Sequence, residues 1–119
     1  MYTYRATVLR VIDGDTIECE IDLGFHIQLT RRVRLAKINA PEMNSKDTQE
    51  RIAAFQATDF LRKNIEGKVI AIKTELDKSD KYGRILGYIF GDKDEQLFPW
   101  VSSFNARMIK EGYAVEYKR

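Results

Sequence analysis

"TQERIAAFQATDFLRKNI", residues 48–65, is where the apolar pattern of this chain changes period. On a helical wheel Ala53, Ala54, Ala57, Phe60, Leu61 and Ile65 share one face, with Gln56, Asp59, Arg62 and Lys63 opposite. That spacing predicts an amphipathic helix packed on a sheet. Ile52 and Phe55 fall on the polar side and are expected to cover a neighbouring loop, and Gly67 stands where a glycine commonly ends a helix. Upstream the period is two. Residues 2–12 and 16–23 are rich in β-formers and flank an Asp13-Gly14 turn, a standard hairpin dipeptide. Gly24 breaks the pattern, and "FHIQLTRRVRLAKI" (25–38) supplies a third extended run that Pro41 ends. Three strands at such short spacing predict an antiparallel meander.

Downstream, "KVIAIKTEL" (68–76) and "RILGYIF" (84–90) read as strands four and five, joined by the polar turn "DKSDKYG" and followed by a second acidic turn, "GDKDEQ". A shorter helix is expected from about residue 101 to 111, with Trp100, Val101, Phe104 and Met108 inward and Gly112 at its end. Asn105 lies at the edge of that face, where its amide is expected to satisfy buried backbone groups. Three strands, a helix, two strands and a helix describe a mainly β fold. It is a five-stranded OB-fold Greek-key barrel, with one helix between strands three and four and a second C-terminal helix. No repeat, low-complexity tract or linker interrupts residues 1–119, which read as a single domain.

The composition, 44% apolar and 32% charged, is that of a globular protein rather than a disordered or membrane one. A net charge of +2 is mildly consistent with a nucleic-acid partner and imposes nothing more. One cysteine excludes an intramolecular disulfide framework, and Cys19, at an apolar strand position, reads as a small core residue. No run approaches the ~18 apolar residues of a membrane span, and the first residues lack the charged-then-apolar pattern of a leader. With Met1 as the native start the expectation is a cytoplasmic protein, and with a trimmed N-terminus a secreted one. Nothing in the pattern calls for more than a monomer.

Three polar segments strain a purely surface explanation. In "VIDGDTIECEI" (11–21), Ile17, Cys19 and Ile21 share one face while Thr16, Glu18 and Glu20 share the other. Asp15 has the parity of the apolar set, so a strand starting at the turn aims its carboxylate inward; alone, it would read as a turn-stabilising aspartate. In "RRVRLAKINAPE" (31–42), Arg34 alternates with Ala36 and Ile38, opposite Val33 and Leu35, so both faces are partly apolar and a basic group is held near a core. The turn that follows gathers the Asn39 amide oxygen, the Ala40 carbonyl and the Glu42 carboxylate, donors that suit a hard cation such as calcium. In "SDKYGR" (79–84), Lys81 and Arg84 flank Tyr82, a mixture that suits a phosphate backbone beside a stacked base.

Together with the closing "NARMIKEGYA" (105–114), "VIDGDTIECEI", "VRLAKINAPE" and "DKYGR" resemble the staphylococcal nuclease (thermonuclease) family along essentially the whole chain. The resemblance implies a calcium-dependent nuclease acting on DNA and RNA at a cleft formed by these loops. It matches Asp15 to the main calcium-binding aspartate. Arg34, Glu42 and Arg84 match the catalytic arginine, glutamate and second arginine, and Lys81 and Tyr82 match positions near the substrate phosphate. Asn39 and Ala40 occupy positions where the family commonly has aspartate and threonine. Both retain an oxygen for the metal, but one negative charge is lost, so weaker calcium binding is expected than at an all-aspartate site. Longer members continue into a third helix after the second. Tyr113 and Tyr117 are candidates for the family's base-stacking tyrosines, and Tyr117 is the one chosen for substrate binding. The expected substrate is single-stranded or locally opened nucleic acid. The rival reading is a catalytically silent SNase-like OB-fold module that binds nucleic acid; retention of both arginines and the glutamate favours the enzyme. An OB-fold module for oligosaccharides would explain the fold but not that set.

Overall fold

The computed structural model describes residues 2–79, 84–91 and 100–117. Strands β1 (Tyr2–Asp13), β2 (Thr16–Asp22) and β3 (Gln28–Leu35) form the expected antiparallel meander. The short β4 (Ile38–Asn39) and the long helix α1 (Thr48–Ile65) follow, the latter with the bounds the periodicity predicts. β5 (Val69–Ser79) pairs antiparallel with both β1 and β6 (Ile85–Gly91). A parallel pairing of β3 with β6, through Val33↔Ile85, Arg34↔Leu86 and Leu35↔Gly87, closes the barrel in the order β1-β2-β3-β6-β5. This is the five-stranded OB-fold barrel.

The barrel interior is filled by Val8, Ile17, Cys19, Val33, Ile72 and Ile89, each fully buried. Cys19 is the core residue its parity predicts, and burial pushes its thiol up to about 12, with the nearby Glu18 charge adding to the effect. Helix α1 lays Ala54, Ala57, Leu61 and Ile65 against one end of the barrel. Ile52 and Phe55, expected to cover a loop, are exposed. Gly67 takes φ +78, the left-handed conformation that turns the chain from α1 towards β5.

The third extended run is shorter than its pattern suggests. Gly24, Phe25 and His26 all take positive φ, so β3 begins only at Gln28. At its other end Ala36 donates its N–H to the Gly87 carbonyl and Lys37 turns through φ +65. That turn resets the alternation, which is why Val33, Leu35 and Ile38 are all buried. The two-residue β4 then pairs with β7 (Val115–Glu116), a ladder too short to leave any periodic trace.

The second helix also starts later than expected. Trp100–Ser102 form a 3₁₀ turn, and α2 spans Phe104–Lys110. Ser103 sets the boundary: its Oγ donates to the Trp100 carbonyl (2.6 Å) and accepts from the Ala106 N–H (3.0 Å), the geometry of an N-cap. Val101, expected inward, is consequently exposed, and Trp100 is only partly covered, its ring edge-on to Tyr88. Met108 is buried as expected.

Asn105 ties α2 to the barrel seam. Its Oδ1 accepts from the Ile89 N–H (2.9 Å), and its Nδ2 donates to the carbonyls of Ala36 (2.9 Å) and Gly87 (3.0 Å). The side chain is fully buried, so alanine here would strip the Ile89 N–H and the Ala36 carbonyl of this partner and leave the Gly87 carbonyl with the Ala36 N–H. Asn105→Ala is expected to cost about 4 kcal/mol of folding stability. A thermal melt should show it as a drop of roughly 10 °C or more in Tm.

Candidate active site

The β1–β2 turn organises the site. Asp13 pairs with Thr16 across it, leaving Gly14 and Asp15 as the connecting residues. Asp13 Oδ1 accepts the Asp15 N–H at 3.0 Å, so the turn-stabilising role falls to Asp13 and the Asp15 carboxylate is released from it. Gly14 is needed for space. A Cβ there would lie 2.8 Å from Ala40 Cβ and 2.9 Å from Ala57 Cβ, so the turn packs directly against the loop after β4 and the face of α1.

Asp15 points inward at the barrel mouth and is 8% exposed. Its Oδ2 accepts the Ala40 N–H (2.9 Å) and lies 3.3 Å from Arg34 Nη2; its Oδ1 accepts from Thr16 Oγ1 (3.2 Å). Burial raises its pKa to about 6, assisted by hydrogen bonding to Asp13 and by that neighbour's negative charge; Arg34 and the Ala40 N–H pull the other way. The balance stays upward. The ionised carboxylate is therefore incompletely compensated, and a further cation would be favoured beside it.

Arg34 and Arg84 converge on this turn from neighbouring strands. The register sets Thr16 opposite Arg34 and Arg34 opposite Leu86, and Arg84 immediately precedes β6. Arg34 donates from Nη1 to the Leu35 carbonyl (2.7 Å) and from Nη2 to Asn39 Oδ1 (3.3 Å), linking Asp15 to Asn39. Arg84 Nη1 donates to Thr16 Oγ1 at 3.2 Å. Thr16, 2% exposed, thus joins Arg84 to Asp15, a role the sequence reading missed. Its parity with Glu18 and Glu20 points it outward, yet it is buried, opposite Arg34 of β3 and bonded by Arg84 from just before β6. The available signal was its position opposite Arg34 in a meander.

Asn39 and Glu42 are exposed, and Ala40 is buried. The Asn39↔Val115 pairing of β4 with β7 carries the tail past Asn39, and the Tyr117 N–H donates to the Lys37 carbonyl at 2.8 Å. Tyr117 is 44% exposed. Tyr113 instead stacks on Phe60 with ring centroids 4.5 Å apart and packs the segment after α2 against α1. Lys81 and Tyr82 lie outside the described residues.

Calcium fits the donors present. The Asp15 carboxylate, the Asn39 amide oxygen and the Ala40 carbonyl are all hard oxygen ligands, and the desolvated charge of Asp15 supplies the electrostatic demand. Among the described residues no group of three or more His, Cys, Asp or Glu side chains could hold a metal ion, and Asp15 is the one carboxylate among these three donors.

Arg34 and Arg84 thus meet the Asp15–Thr16 turn at the mouth of a closed OB barrel. The chain belongs to the staphylococcal nuclease homologue family, whose model matches residues 32–119. It is 32% identical over 108 residues to a thermonuclease of Staphylococcus intermedius, covering 90% of this chain and 56% of that protein. It is 29% identical over 112 residues to a thermonuclease of Staphylococcus hyicus, covering 94% and 57%. It is also 30% identical over 120 residues to endonuclease YhcR of Bacillus subtilis, covering 96% of this chain but 9% of that protein. The chain therefore spans little more than half the length of the thermonucleases it matches. Among the described residues no helix is long and apolar enough to cross a membrane.

Proposed function

We propose that residues 1–119 form one SNase-like unit acting, as a monomer, as a calcium-dependent nuclease on DNA and RNA. The reaction is hydrolysis of a phosphodiester by in-line attack of water with the 5′ oxygen leaving, which gives 3′-phosphate ends. The observation that carries this reading is the convergence of Arg34 and Arg84 on the Asp15–Thr16 turn. Two guanidinium groups from separate strands thereby share one anchor beside a carboxylate suited to a metal.

Asp15, Asn39 and Ala40 would hold the calcium ion, which when bound neutralises a phosphate oxygen and acidifies water. Glu42, exposed beside this set, accepts the proton of the attacking water as general base. Arg34 and Arg84 donate to the equatorial oxygens as negative charge grows on them. The planar fork of guanidinium matches two oxygens and stays protonated. Lys81 and Tyr82 would meet the phosphate and base near the scissile bond. Tyr117, just after β7, would stack a base, and because stacking needs an unpaired base it favours single-stranded or locally opened substrate.

Single-stranded DNA and RNA incubated with the protein in calcium or in chelator test the reading. Calcium-dependent cleavage is expected, with ends that a polymerase extends only after phosphatase treatment. Binding without cleavage in every divalent metal tried would replace the enzyme by a silent binding module.

A further inference from the structure

The start of α1 carries a capping-box pattern that is used for something other than capping. Asp47 is the N-cap, its Oδ1 accepting the Gln49 N–H at 3.0 Å. Glu50 stands three residues on, where a glutamate ordinarily turns back to the N–H of the N-cap itself. That N–H is taken by Ser45 Oγ at 3.1 Å. Glu50 is released and reaches further: its Oε2 accepts the Glu42 N–H at 3.0 Å, and its Oε1 accepts from Ser45 Oγ at 2.9 Å. The Ser45 N–H then donates to the Glu42 carbonyl at 3.3 Å, and Arg51 Nη1 holds the Ser45 carbonyl at 3.0 Å. The Glu42 backbone is thus tied at both its N–H and its C=O while the residue stays exposed.

We infer that Glu50 is a positioning residue for the nuclease reaction, holding the Glu42 peptide to α1 so that the Glu42 carboxylate is presented in a fixed place. The inference rests on the general-base reading of Glu42. An untethered loop would let that carboxylate wander, and a misplacement of about 1 Å can cost roughly 100-fold in rate. Helix α1 is a sound reference because Ala57 packs on Gly14, next to Asp15, so Glu50 passes the register of the metal-binding turn to the base.

The test is steady-state cleavage of a single-stranded DNA oligonucleotide at saturating calcium, with thermal melts of every variant. Glu50→Ala is expected to lower kcat by about 30- to 100-fold with KM within about twofold of the parent. Glu50→Gln, which keeps an acceptor oxygen for the Glu42 N–H, should recover to within about fivefold. Asp47→Ala removes the helix cap alone; it should lower Tm yet keep kcat within about twofold. Because Glu50 acts through Glu42, the double variant Glu42→Ala/Glu50→Ala should be no slower than Glu42→Ala. Parent-like kcat in Glu50→Ala beside a nearly inactive Glu42→Ala would overturn this inference alone. So would losses that add in the double variant, or an equal loss of kcat in Asp47→Ala. Near-normal turnover in Glu42→Ala would overturn the general-base reading itself.

Discussion

Replacing Arg34 with alanine is expected to lower kcat by about 1,000-fold. The guanidinium has two tasks under the proposed function: it links Asn39 to Asp15, and it would donate to the phosphate as negative charge develops there. Alanine removes the donor and also strips the buried Asp15 of the cation that partly offsets its burial. Arg34→Lys should recover little. A lysine ammonium keeps the charge but cannot span Asp15, Asn39 and a phosphate with a planar fork. Single-turnover cleavage at saturating calcium, with circular dichroism to confirm the fold, reads the effect. Loss of less than about tenfold in Arg34→Ala would remove Arg34 from the transition-state role.

The second large effect concerns metal. Asp15→Ala is expected to abolish calcium binding measurable by titration calorimetry, and activity with it, since Asp15 is the main source of negative charge in the donor set. The complementary change is Asn39→Asp, which restores a second carboxylate. It should lower the half-saturating calcium concentration by roughly tenfold, because affinity at oxygen sites follows ligand charge. Asn39 also accepts from Arg34, so the new carboxylate would form an ion pair that moderates the gain. A half-saturation unchanged by Asn39→Asp would place that position outside the metal's ligands.

The parts of the molecule that were legible in the sequence are those where one residue's neighbours along the chain decide its environment. Residues 48–65 show helix α1 because eighteen positions share one period, and Asp15 shows its inward direction because Ile17, Cys19 and Ile21 define the face. Legibility fails where a residue's environment is supplied from a distance. Thr16 is buried where it meets Arg34 of β3 and Arg84 just before β6, and no local pattern announces that. The β4–β7 ladder, two residues on each strand, cannot carry a period. The Asp13-Gly14 dipeptide reads as a turn for conformational reasons, yet Gly14 has an ordinary φ and is required by the closeness of Ala40 and Ala57. At Ser103 a local cap overrides a helical pattern that runs through it, because its hydroxyl satisfies both the preceding turn and the first turn of α2.

The contact of Gly14 with Ala40 and Ala57 also constrains how this protein can change over generations. Three residues from three separate segments share one small volume, and a methyl group added at the first collides with both of the others. Substitutions at positions 14, 40 and 57 are therefore not independent events. A larger side chain at one becomes tolerable only where another stays minimal or the helix shifts outward, and an outward shift would carry the Glu50 tether with it. The acceptability of a residue at the turn that carries Asp15 thus depends on the history of a helix packed against it.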